Sequence, residues 1–163
     1  MIAIDIDIKG VEAVEASLRD LPKTVMQAVY AKVYGLTLVL EGKVKTKLSG
    51  SVLNVRTGNL RRSIQNEMER SDNSVTGKVY SAGDVKYAAI HEFGGTTAPH
   101  VIEARNAKSL AFVTAGKTVF ARKVNHPGSV IPERSFMRSS LREMSPEIQA
   151  DIEQSVEKAL ASL

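Results

Sequence analysis

At 163 residues, with 43% apolar and 25% charged residues, the chain is long enough for a single domain, residues 1–163, to bury a core without covalent staples. It has no cysteine, which excludes a disulfide framework and any thiolate metal site. The formal charge of +4 is unevenly spread: Met1–Gly42 is net −2, Lys43–Arg142 is net +10 with 17 basic and 7 acidic residues, and Glu143–Leu163 is net −4. A basic middle between acidic flanks permits phosphate contact, and equally permits head-to-tail pairing between copies of the chain.

The chain opens on Ile2, Ile4, Ile6 and Ile8 alternating with Ala3, Asp5, Asp7 and Lys9, a period-two pattern that predicts a strand with one buried face. With its two aspartates this start does not read as a signal peptide. A short helix is expected after Gly10, with Val11, Val14 and Leu18 at helical spacing. Pro22 suits the first turn of a second helix running to about Leu48, because its missing N–H costs nothing there. Val25, Val29, Val33, Leu36, Leu40 and Val44 step along one face of that helix. The run Val25–Leu40 is interrupted by Lys32 and is shorter than the roughly 20 residues that span a bilayer, so a soluble protein is expected. Met26, Tyr30, Tyr34, Leu38 and Val39 widen the apolar arc beyond what one sheet covers. A second helix of the chain or a neighbouring subunit is therefore expected against it. Gly35 and Gly42, seven apart, mark either a close backbone approach or loose packing.

Beyond the Ser49-Gly50-Ser51 loop, Thr57 reads as the N-cap of a short helix through Ile64, with Leu60 and Ile64 inward and Arg61 and Arg62 outward. Asn66–Arg70 and Val75–Ser81 predict a hairpin around Asp72-Asn73. Tyr87–Phe93 predicts a helix ended by Gly94 in the left-handed conformation. Strands are expected over His100–Ala104, Leu110–Thr114 and Lys117–Val124, the last two joined across Ala115-Gly116. Pro127-Gly128 and Pro132 predict a loop without a regular ladder, an arm anchored by Phe136. Ser145-Pro146-Glu147 reads as cap, first-turn proline and first-turn acid of a terminal helix whose inner face is Ile148, Ile152, Val156, Leu160 and Leu163. These elements make an α+β fold, a bent antiparallel sheet packed against one long helix with a C-terminal flanking helix.

No motif for chemistry emerges. His91-Glu92 begins like a zincin helix, but the second histidine would fall on Gly95. His100 and His126 lie on separate segments without ligand spacing, and structural histidines are the commoner reading. Gly94-Gly95 and Gly116 lack the Gly-Lys-Ser or GxGxxG continuation of a phosphate loop. Ser129 lacks a nucleophile-elbow frame. Asp84 and Glu92 have no spacing that argues for a paired-carboxylate site. With four Phe and four Tyr, aromatic residues do not interleave with basic ones as in a base-stacking platform. No catalytic, metal or cofactor site, and no small-molecule substrate, is expected.

Three phrases carry a resemblance. Thr57, Gly58, Leu60 and Ser63 match a T-G-x-L-x-x-S motif. Tyr87, Ala88, Glu92, Phe93 and Gly94 match Y-A-x-x-x-E-F-G. His126, Pro127 and Gly128, followed by Pro132, Arg134, Phe136, Met137 and Arg138, match H-P-G and P-x-R-x-F-[LM]-R. In this order after a long helix, they resemble the neck or tail-completion proteins of lambda-like siphophages, also described as minor tail components. Ser139-Ser140 departs from the proline and alanine common in that family. The resemblance implies a non-enzymatic virion protein that forms a homo-oligomeric ring at the head–tail junction. It would meet head-closure (connector) and tail-terminator proteins, and reside in the host cytoplasm during assembly. On this reading the motif residues preserve a fold or an interface, with Leu60 and Phe93 in the core, Gly94 a cap and Phe136 an anchor. Arg61, Arg62, Lys117, Arg122 and Lys123 are the candidates for weak contact with passing DNA. The alternative is a basic nucleic-acid-binding protein.

Overall fold

The computed structural model describes residues 23–72 and 74–161; the expected N-terminal strand and short helix lie outside them. The fold is α+β. Helix α1 (Lys23–Thr46) runs into a wide turn, Lys47–Ser51, where Val52 N–H donates to Lys47 O at 3.0 Å. Helix α2 (Asn59–Ser63) leads directly into the hairpin β1 (Ile64–Arg70) and β2 (Val75–Ser81), paired Ile64↔Ser81 through Arg70↔Val75. Helix α3 (Tyr87–Phe93) has the bounds its pattern predicts. The long helix α4 (Met137–Ala161) is the last described element.

Helix α1 is covered from two sides. Along one, Leu40, Val44 and Leu48 meet Ile64 and Val79 of the hairpin and Phe136, Met137 and Met144 of α4. A smaller cluster at the other end joins Val25, Met26 and Val29 to Ala159. Lys32–Asp151 at 3.1 Å and Lys43–Glu143 at 3.0 Å stitch α1 to α4, and Lys47–Glu143 at 2.6 Å ties the turn after α1 to the same helix. Water reaches at least one partner of each pair and screens it, so these contacts orient the helices more than they hold them together. They do spend part of the charge asymmetry within the subunit. The widened apolar arc is only partly covered: Tyr34, Leu38 and Val39 remain exposed.

The glycine that allows close approach lies elsewhere than α1. Beyond the helix's own neighbouring backbone, no described atom comes within 4 Å of a Cβ built on Gly35 or Gly42. On Gly77 of β2, by contrast, a Cβ would sit closer than 3.0 Å to Thr37 Oγ1, so the strand backbone packs directly on the Thr37 and Val33 side chains of the helix.

The terminal helix begins eight residues earlier than Ser145-Pro146 suggests, at Met137, and Pro146 stands inside it. Pro146 and Arg142 are both exposed, so the carbonyl that loses its partner there can be solvated. The inner face accordingly shifts to Met137, Ser140, Met144 and Ala159. Ile148 and Val156 pack against the two clusters, and Leu160 is exposed. Leu163 lies outside the described residues.

The remaining strands are not layered on α1. They form three nested antiparallel ladders: β3 (Gly95–Thr96) with β8 (Val130–Ile131), β4 (His100–Glu103) with β7 (Lys123–His126), and β5 (Leu110–Thr114) with β6 (Lys117–Ala121). The first two share one register; the third is offset, because residues 104–109 stand opposite Arg122 alone. The strand expected over Lys117–Val124 is thus two strands divided at this bulge. At the tip Ala115 and Gly116 both adopt positive φ, 48° and 74°, as a two-residue hairpin turn requires. The expected loop at Pro127-Gly128 does carry a short ladder. Thr97 N–H donates to Ser129 O at 2.9 Å, and Ser129 N–H donates to Thr97 Oγ1 at 2.8 Å. A Cβ on Gly128 would strike the Thr97 carbonyl.

Candidate functional site

The second and third phrases of the resemblance meet at one buried carboxylate. Helix α3 points Glu92 at the start of α4, where a helix presents unpaired N–H groups. Its Oε2 accepts from Phe136 N–H at 2.7 Å and Met137 N–H at 2.9 Å. Its Oε1 accepts from Arg138 N–H at 2.9 Å and Ser135 Oγ–H at 2.8 Å. Glu92 is fully buried. Burial alone pushes its pKa up, but the backbone N–H groups of Met137, Arg138 and Phe136 and the Ser135 hydroxyl together outweigh it and hold the carboxyl below the ordinary value. Every lone pair an incoming substrate proton would need is taken, so this acid is a cap rather than a base.

The neighbours lock the same joint. The Arg138 guanidinium donates to Glu92 Oε1 at 3.2 Å, to the Glu92 carbonyl at 2.9 Å and to Glu133 Oε1 at 2.9 Å. It also lies over the Phe93 ring at 4.4 Å. Phe93 is therefore not core, as expected from sequence, but a half-exposed platform for Arg138. Phe136 is fully buried, as its anchor role requires. Gly94 ends α3 with φ 71° and ψ 179°, so its φ is positive but its backbone is not the left-handed helical form. A Cβ there would meet Glu133 N at 2.9 Å and Ile131 O at 3.1 Å, which are backbone atoms that cannot swing aside. Arg134 N–H donates to His91 O at 2.8 Å, while Pro132 and the Arg134 side chain face solvent. His91 Nδ1 is buried without a hydrogen-bond partner among the described residues. Burial, then the charge of Arg134, lowers its pKa.

The first phrase builds a separate joint. Gly58, not Thr57, is the cap residue of α2, with φ 76°. Thr57 Oγ1 accepts only a long 3.4 Å bond from Asn59 N–H. Leu60 packs on the core, and Ser63 Oγ donates to Leu60 O at 2.7 Å and shares a 2.8 Å bond with Ser81 Oγ. Tyr87 is exposed, edge-on to His91 at 6.1 Å.

The candidate DNA-facing residues divide between two places. Arg61 and Arg62 are exposed on α2, and Arg62 donates to Thr57 O at 3.0 Å and Asn59 Oδ1 at 2.6 Å. Lys117, Arg122 and Lys123 are exposed on the ribbon, with Lys123 loosely paired to Glu103 at 3.7 Å. His100 and His126 face each other at the ribbon's base, rings stacked 4.9 Å apart. His126 Nδ1 accepts from Gly128 N–H at 3.1 Å. No group of three or more metal-ligating side chains gathers among the described residues. None of their helices is long and apolar enough to cross a membrane. A shallow groove of about 330 Å³ between α1 and α4 is lined by Ala28, Lys32, Ser155 and Lys158 among others, without a carboxylate or imidazole.

Sequence reasoning found the residues of the Glu92 joint but not the bond that unites them. Ser135 carried a legible helix-start signal, since its Oγ accepts from Ser139 N–H at 3.1 Å. Compared with known protein families, curated proteins and solved structures, the chain matches none.

Proposed function

We propose that the chain is a non-enzymatic virion structural protein of the siphophage neck or tail-completion type, forming a homo-oligomeric ring at the head–tail junction. The carrying observation is the Glu92 joint. Two phrases more than 40 residues apart converge there, and their polar atoms are consumed in fixing α4 to α3. The motif residues are thus architectural, which suits a protein whose work is done by surfaces. Those surfaces would meet a head-closure or connector protein on one side and a tail terminator on the other, in the host cytoplasm and then in the virion. Disrupting the gene in the genome that carries it, followed by electron microscopy of the lysate, tests this. Filled heads and finished tails, unjoined, with joining restored by the supplied protein, are expected. Intact virions would overturn it.

The alternative, a basic nucleic-acid-binding protein, is favoured by one observation. Residues 95–131 hold five basic residues and one acidic residue on an exposed two-stranded ribbon, and such ribbons can enter a DNA groove.

A further inference from the structure

The three nested ladders make one ribbon that stands apart from the core. Its three ladders hold eleven paired positions, and with residues 97–99 between the first two the strand would reach on the order of 45 Å if straight at roughly 3.3 Å per residue. Strands β5 and β6 make no broad contact with any described element but each other. An isolated two-stranded ribbon is marginal in water, and a solvated one should show polar residues on its open face. This tip does the reverse. Leu110, Phe112, Val119 and Ala121 share one face with Thr114 and Lys117 at the turn end, while Ala111, Val113 and Phe120 share the other with Thr118, so Lys117 reaches the second face only around the turn. Val113 is 72% exposed and Phe120 68%. Lys117, Arg122 and Lys123 rim this apolar tip, all exposed.

The complementary surface lies on the same chain. Residues 143–163 carry five acidic residues and one basic. Glu143 and Asp151 are paired to α1, but Glu147, Glu153 and Glu157 have no cationic partner among the described residues and face solvent. Glu153 accepts only from Gln149. Among these acids Ala150, Leu160 and Ala161 are exposed, Leu160 by 46%. An apolar tip with a basic rim and an apolar strip with an acidic rim fit each other in both respects. Duplex DNA offers phosphate to the rim but no continuous apolar surface that would cover both Val113 and Phe120. Because Phe112 and Phe120 lie on opposite faces, they do not form one stacking platform for bases.

We propose that the ribbon tip is the arm by which one copy of this chain holds the next, seating Val113 and Phe120 against Leu160 of the neighbour's α4 while Lys117, Arg122 and Lys123 meet Glu147, Glu153 and Glu157. The two patches differ, so the contact is head-to-tail and closes a ring or extends a filament. This rests on the ring reading above and supplies its contact.

The chain's lack of cysteine makes the test clean. One cysteine at Thr118→Cys and one at Ala150→Cys, joined by a short bis-maleimide at low salt, should give a ladder of covalent multimers. Either cysteine alone should give no ladder. Lys117→Glu, Arg122→Glu and Lys123→Glu together should abolish the ladder. Adding Glu147→Lys, Glu153→Lys and Glu157→Lys to the same chain should restore it, which separates lost contact from lost folding. Circular dichroism checks the fold of each variant. A monomer at every concentration, or a ladder indifferent to the reversals, would overturn the arm. So would reversals that remove DNA retention and leave the ladder intact. None of these results touches the virion-joining experiment, whose outcome stands separately.

Discussion

Glu92 concentrates the consequences of burying a charge. Removing its negative charge leaves backbone N–H groups of Phe136, Met137 and Arg138 without a full acceptor set and frees a guanidinium beside them. Glu92→Gln keeps one carbonyl oxygen but turns an NH₂ toward donors, so a loss of about 2–4 kcal/mol in urea unfolding is expected. The pH dependence follows from the lowered pKa. A carboxyl depressed in the folded state stabilises above its ordinary value near about 4.3, and that stability is lost as pH falls through the depressed value. The gap between the native chain and Glu92→Gln should therefore be constant near neutrality and shrink below about pH 4. Glu41, whose hydrogen bond from Lys45 outweighs burial, with Asn66 adding to it, and His91, whose pKa burial lowers with Arg134 adding to it, weaken both proteins in acid alike. A gap that stays level down to pH 3 would mean that the carboxylate is not what holds α4.

Between elements, what decides the structure is often non-local, and this sets how much of it the sequence discloses. The apolar period of α1, the bounds of α3 and the β1–β2 hairpin were legible because each is written within one short stretch. Two features were not. The start of α4 is fixed by Glu92 acting on residues 43 to 46 positions away, whereas Ser145-Pro146-Glu147 offers a stronger local signal. The break between β6 and β7 comes from residues 104–109 bulging opposite Arg122, and the run Lys117–Val124 shows no sign of it. Pro146→Ala tests the first point: with a donor restored to a helix interior, stability should rise by about 1–3 kcal/mol. An unchanged or lower midpoint would mean that the helix does begin near Ser145. Gly77→Ala tests the contact of strand with helix and should cost about 1–3 kcal/mol through overpacking against Thr37 and Val33. Adding Thr37→Ala removes the nearest obstructing atom. A double-mutant cycle should then show favourable coupling between the two positions, and simple additivity would refute the close approach.

For the molecule as a whole, the basic middle is what separates a DNA channel from a dedicated DNA-binding protein. A channel that lets DNA slide must hold it weakly, through few contacts per subunit. Arg62 is already engaged by its own loop, and Lys123 leans toward Glu103. Arg61, Lys117 and Arg122 are the freer cations of the original set, on two separate elements. So divided, they do not make the continuous stripe that tight groove binding uses. Duplex retention on filters should therefore be near or weaker than the usual non-specific range of about 10⁻⁴ to 10⁻⁶ M at physiological salt. Each phosphate contact contributes roughly 0.9 to the log–log salt slope, so a shallow slope is expected between two salt concentrations. Replacing Arg61, Arg62, Lys117, Arg122 and Lys123 by Ala should lower this weak retention uniformly across sequences. A dedicated DNA-binding protein would behave otherwise, with submicromolar affinity, a steep slope and a preferred sequence. Tight, sequence-selective retention at the higher salt would defeat the junction reading and leave the nucleic-acid reading in its place.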